Sequence, residues 1–170
     1  FSNAVAASFT LNNPGILVLG DPSGGVLDVQ LPGDDAWWMA GTTRLFGSTA
    51  GTFTFIPTML AGSRILLSGT LDVHGRAASD ARLDVLGGEV VLGDVDARLV
   101  LSGGSLATPN RLDFGTVSGA GTLAAIEGAA LHGHGSLATC MDFAGDKSEI
   151  RAAGGTLLVS GALLHAGVIG

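Results

Sequence analysis

An all-β, single-stranded β-solenoid, parallel and right-handed, built from short strands and glycine-rich turns, is the fold class this sequence predicts. Three observations predict it. Glycine fills 28 of the 170 positions and breaks the chain into short runs, and each glycine inside a helix costs about 1 kcal/mol relative to alanine. Many short segments alternate apolar and polar residues, the period of a strand with one face buried. A Gly-Thr/Ser-Leu tripeptide also recurs at a spacing that fits one coil of a solenoid.

Helices are excluded first. The longest runs without Gly or Pro cover residues 1–13 and 76–86, and at most residues 146–153 make a short helical turn. Residues 1–61 form the less regular part of the chain, with both Trp residues and four of the five Pro. They read either as an irregular β capping region or as atypical first coils. Within them, Val26-Leu27-Asp28-Val29-Gln30-Leu31 and Thr52-Phe53-Thr54-Phe55 alternate as strands. Residues 62–170 read as the solenoid proper. Its clearest strands are Thr70-Leu71-Asp72-Val73-His74, Arg82-Leu83-Asp84-Val85, Asp96-Ala97-Arg98-Leu99 and Arg111-Leu112-Asp113-Phe114. In the last of these, alternation sets Leu112 and Phe114 on one face and Arg111 and Asp113 on the other.

The tripeptide stands at Gly69-Thr70-Leu71, Gly104-Ser105-Leu106, Gly121-Thr122-Leu123, Gly135-Ser136-Leu137 and Gly155-Thr156-Leu157, with Gly88-Glu89-Val90 as a related form. If these apolar members are equivalent, each coil takes about 14–20 residues. A lone coil cannot bury its inward face, so coils must stack into a ladder of aliphatic side chains. Aromatic residues are only 5% of the chain and Tyr is absent, which suits a narrow interior of Val, Leu, Ile and Ala.

Composition excludes several functions. The net charge is −7 and the only lysine is Lys147, so the basic footprint that nucleic-acid binding requires is missing. Anionic membranes are disfavoured for the same reason, and no apolar stretch is long enough to span a bilayer. The lone Cys140 cannot build a disulfide framework. The opening Phe1-Ser2-Asn3-Ala4 has no initiator Met and no basic n-region, and reads as a processed product or a piece of something longer.

Val117-Ser118-Gly119-Ala120-Gly121-Thr122-Leu123, together with residues 150–169 around Gly154-Gly155-Thr156-Leu157, resembles the repeat of autotransporter passengers and related secreted bacterial β-helix proteins. The likeness covers residues 69–170. It implies an extracellular or bacterial cell-surface fibre, stalk or adhesin, and carries no catalytic residues with it. Gly93-Asp94-Val95-Asp96-Ala97-Arg98-Leu99-Val100-Leu101 is similar to a coil of the bactofilins, which implies end-to-end polymerisation.

Candidate sites are few. His132 and His134 flank Gly133 and project from one strand face, an i, i+2 pair that could bind Zn²⁺ or Cu²⁺ with a third ligand from another coil. The alternative is a solvated outward pair, and His74, His165 and Cys140 show no sign of converging on it. Asp142, Asp146 and Glu149 offer oxygen ligands without the spacing of a known Ca²⁺ loop. Asp34 and Asp35 ahead of Trp37 and Trp38 could grip a sugar; the preferred reading is an assembly surface or a plug at the solenoid's end, since Trp is enriched in subunit contacts. Asp72, Asp84, Asp96 and Asp113 are outward carboxylates with Arg82, Arg98 and Arg111 two residues away, which reads as alternating-sign ladders between coils rather than acid/base pairs.

No catalytic residue, cofactor or phosphate-cradling loop is expected. The sequence points to an extracellular structural subunit that acts by coil stacking and self-association or by contact with other surface proteins. A glycan- or receptor-binding adhesin module is the alternative, with a polysaccharide lyase or hydrolase behind it.

Overall fold

The computed structural model describes residues 16–20, 36–46, 53–55, 64–125, 128–144, 147–165 and 168–170. Its strands are β1 (Ile16–Gly20), β2 (Ala36–Met39), β3 (Thr42–Phe46), β4 (Phe53–Phe55), β5 (Arg64–Leu67), β6 (Thr70–His74), β7 (Arg76–Ser79), β8 (Arg82–Leu86), β9 (Glu89–Leu92), β10 (Arg98–Leu101), β11 (Asn110–Ala125), β12 (Ala130–Phe143), β13 (Glu149–Val159), β14 (Leu163–His165) and β15 (Val168–Ile169). There is no helix among the described residues, and the expected helical turn at 146–153 is overturned, because Glu149 onward runs as strand β13. The parallel strands stack as a β-solenoid of about five turns.

The pairing defines three faces. The first carries β2, β5, β8, the start of β11, the start of β12, the start of β13, and β15. The second carries β1, β3, β6, β9 and then the middles of β11 and β12 and the end of β13. The third carries β4, β7, β10, the ends of β11 and β12, and β14. The long strands β11 and β12 bend from face to face through register shifts at Asp113/Gly115 and Ser118/Thr122. Such shifts are the way a continuous strand turns a corner. β1 to β4 join the same parallel ladders as the later strands.

Alternation sends every second side chain inward. On the second face Leu71, Val90, Val117 and Leu137 lie in register, all buried. On the third face Leu99, Leu123 and Met141 do the same. Each fully buried aliphatic side chain contributes about 1.5–3 kcal/mol, and each is covered by the rung above and the rung below.

The second-face ladder corrects the predicted repeat. Its members stand at 71, 90, 117 and 137, steps of 19, 27 and 20 residues. Leu106 does not belong to it. It is exposed in the 102–109 connection, where Ser105 and Thr108 bond each other instead of a neighbouring coil. Leu123 is inward but on the third face. The tripeptide marks a turn followed by an extended residue, and all three corners of a coil can use that.

One inward rung is polar. Asn110 lies between Leu83 and Leu131, completely buried. Its Oδ1 accepts from the Leu83 N–H at 2.8 Å, and its Nδ2 donates to the Gly103 and Ala130 carbonyls at 2.7 and 3.0 Å. Those partners lie on the preceding coil, the preceding turn and the following coil. A buried amide is tolerated when its bonds are made, and here it also fastens three levels of the stack.

Candidate functional site

The sequence places His132 and His134 on one outward face, and the structure agrees. Three strands on the first face hold them. Asn110, Leu131 and Ile150 align inward; Arg111, His132 and Arg151 form the next, outward rank; Leu112, buried, is in register with Gly133 and Gly133 with Ala152; Asp113 and His134 are paired beyond them. Gly133 is indispensable to this arrangement. It has φ +147°, and a Cβ there would stand 1.8 Å from the Leu112 carbonyl oxygen. Only glycine lets the coils approach at the point that both histidines flank.

The two imidazoles do not converge on a common ligand point. His132 Nε2 lies 3.0 Å from Glu149 Oε1 on the following coil, and His134 Nε2 lies 3.1 Å from Asp113 Oδ1 on the preceding one. Each contact is close without being a hydrogen bond, and both Nε2 atoms are buried without a hydrogen-bond partner. His134 Nδ1 is 3.2 Å from the Ala153 carbonyl oxygen. No three His, Cys, Asp or Glu side chains gather as a metal site among the described residues.

The other candidates are dispersed. Cys140 is on the third face, paired with Thr122. His74 lies between Asp72 at 3.2 Å and Asp94 at 3.4 Å on the second face. Asp142 and Glu149 do not form a cation loop: Glu149 meets His132, and Asp142 is held by Arg98 Nη2 at 2.6 Å and His165 Nδ1 at 2.9 Å. Asp146 lies outside the described residues. The Arg98 guanidinium, and then His165, keep the Asp142 carboxyl below the usual carboxylate value, against a smaller opposing effect of burial. Trp37 and Trp38 are in β2, in register with Ile65 and Leu66; their side chains, with Asp34 and Asp35, lie outside the described residues.

The predicted charge ladders take three different forms. Arg44 and Asp72 pair at 3.2 Å across adjacent coils. Arg82 instead forks onto Asp84 of its own strand, Nε to Oδ1 at 2.9 Å, and Asp84 is buried beneath it rather than solvated. Arg98 passes over one whole coil to reach Asp142. Arg111 has no ion pair among the described residues. Asp96 donates its N–H to Asp94 Oδ1 within a turn.

Sequence alternation misses one residue here. Phe114 should face inward beside Leu112, yet its side chain is 79% exposed and its backbone has φ +52°. The register shift between Asp113 and Gly115 rotates it outward. A Cβ at Gly115 would come 2.5 Å from Val85 Cγ1, so glycine takes the inward place that Phe114 vacates. The Phe114 ring meets His134 edge-on, centroids 4.4 Å apart. His134 in turn lines a groove of about 270 Å³, with Arg111, Asp113, His132, Pro109 and Gly154 among its other walls.

No protein-family model, curated protein or solved structure matches this chain.

Proposed function

We propose that this chain is a structural element of an extracellular or bacterial-surface assembly, and that it works by stacking solenoid coils end to end, with no chemical step. The observation that carries the proposal is the last described coil. Among the described residues, β14 pairs only with β12, and the Leu157–Val159 part of β13 pairs only with β12. Both offer a row of parallel-strand N–H and C=O groups along an open edge. Leu158, Leu164, Val168 and Ile169 are exposed beside that edge. An open edge of this kind templates further strand pairing.

The edge needs a matching cross-section on three faces at once; a further coil of the same solenoid has it, and a second copy of this chain would supply one. Such head-to-tail contacts do not close and therefore build filaments. The extracellular setting rests on the resemblance of residues 69–170 to secreted bacterial β-helix repeats. Sedimentation velocity across a concentration series, with negative-stain microscopy, tests the reading. Rod-shaped oligomers should grow with concentration, and Leu164→Lys with Ile169→Lys should abolish them while leaving the far-ultraviolet spectrum of β structure intact. A chain that stays monomeric at its highest soluble concentration would sink the proposal.

A further inference from the structure

The groove on the first face has features that stacking does not use. Phe114 holds a left-handed backbone conformation that costs a non-glycine residue about 1–3 kcal/mol, and the conformation leaves its ring in water. Asp113 beside it is 55% exposed on its side chain. Arg111 is exposed and has no ion pair among the described residues, and neither has Arg151, two coils along in the same outward rank. On a chain of net charge −7 this rank carries two guanidiniums, Arg111 and Arg151, with His132 and its Glu149 contact between them.

These groups are complementary to one ligand chemistry. An exposed aromatic face takes the apolar C–H face of a pyranose ring. An unpaired guanidinium takes a carboxylate through two parallel hydrogen bonds. An exposed carboxylate such as Asp113 accepts from sugar hydroxyls, and a cavity of about 270 Å³ has room for a single ring. We propose that this groove binds a carboxylate-bearing glycan, with a hexuronate carboxylate on Arg111, an adjoining ring reaching past His134 onto Phe114 and the next anionic unit toward Arg151. The proposal does not depend on end-to-end assembly, since the groove lies on a lateral face.

The test is calorimetric titration of the 170-residue chain with a linear hexuronate tetrasaccharide, the same tetrasaccharide with its carboxyls reduced to alcohols, and a sulfated tetrasaccharide. Saturable binding of the uronate is expected, with no measurable binding of the reduced form. Arg111→Gln should weaken it roughly ten- to hundredfold, the range for a lost hydrogen bond to a charged group. Phe114→Gly should weaken it roughly three- to tenfold while Tm stays equal or rises, because glycine adopts φ +52° freely. A fall in Tm with unchanged binding would make Phe114 a packing residue and overturn the assignment. Equal affinity for the reduced or the sulfated sugar, or no binding of the uronate at all, would overturn it as well.

Discussion

Met141 and Leu163 occupy neighbouring rungs of one ladder, in register on the third face, yet Met141 is completely buried and Leu163 is 40% exposed. The same contrast separates Leu137 from Val159, its register partner on the second face, the first buried and the second exposed. The two regions share one pattern of alternation and one pairing geometry. What differs is the neighbour: the coil at residues 130–143 is covered on both sides, whereas on the second and third faces the coil at 149–165 is covered on one among the described residues. In a solenoid the inward direction of a side chain is set by its own strand, while its burial is set by the next coil. A sequence pattern therefore specifies which residues want to be buried and leaves open what buries them.

The interior has the larger energies at stake. Asn110→Ala would leave the Leu83 N–H and the Gly103 and Ala130 carbonyls without their side-chain partner. Buried polar groups left unsatisfied cost about 1–3 kcal/mol each, so a loss of about 4 kcal/mol in denaturant unfolding is expected. A change below about 1 kcal/mol would mean that water or a shifted coil replaces the amide, and that the polar rung does not fasten the stack.

Next in size is a matched pair on the third-face ladder. Met141→Ala removes a fully enclosed side chain and should cost about 2–5 kcal/mol. Leu163→Ala, one coil later, should cost below about 1 kcal/mol at low protein concentration, because much of its surface is already wet. If the last coil is completed by a second copy, the cost of Leu163→Ala should climb as concentration rises, whereas that of Met141→Ala should climb much less. Equal penalties for the two in dilute solution would erase the distinction between the covered and the open coil.

Much of this was legible from the residues alone. Period-2 alternation and regular glycine punctuation give the solenoid, and the spacing of His132 and His134 gives their common outward face. What was not legible has a shared physical cause. Alternation assumes an unbroken strand, and β11 is broken twice by register shifts, so Phe114 emerges where the pattern sends it inward. The Gly-Ser-Leu at 104–106 looks like its counterparts because local turn chemistry is the same in a long connection as at a coil corner. Asn110 reads as a turn former at a strand boundary, since nothing local distinguishes an amide that bonds its own turn from one that bonds three levels of a stack. The groove depends on which charges find partners, and Arg98 shows the difficulty: its carboxylate is 44 residues away, past an intervening coil.

That long pair also supplies the smallest effect and the most specific signature. Arg98, on a covered coil, and His165, on the open one, both bond Asp142 and depress its titration below the ordinary carboxylate value of 3.8. A carboxyl more acidic in the folded chain than in the unfolded one contributes stability that is fully present above its unfolded value and is lost as pH falls through its folded value. Arg98→Gln should therefore lower stability at neutral pH, and the gap from the parent should close as pH drops below about 4 and Asp142 becomes protonated in both. His165→Gln should act in the same direction with a smaller effect, since its side chain is 68% exposed and solvent screens such pairs. Urea midpoints measured from pH 7 down to pH 3 resolve the two. A gap for Arg98→Gln that persists unchanged into acid would assign its cost to lost packing across the intervening coil rather than to charge, and the tie between covered and open coils would then be steric.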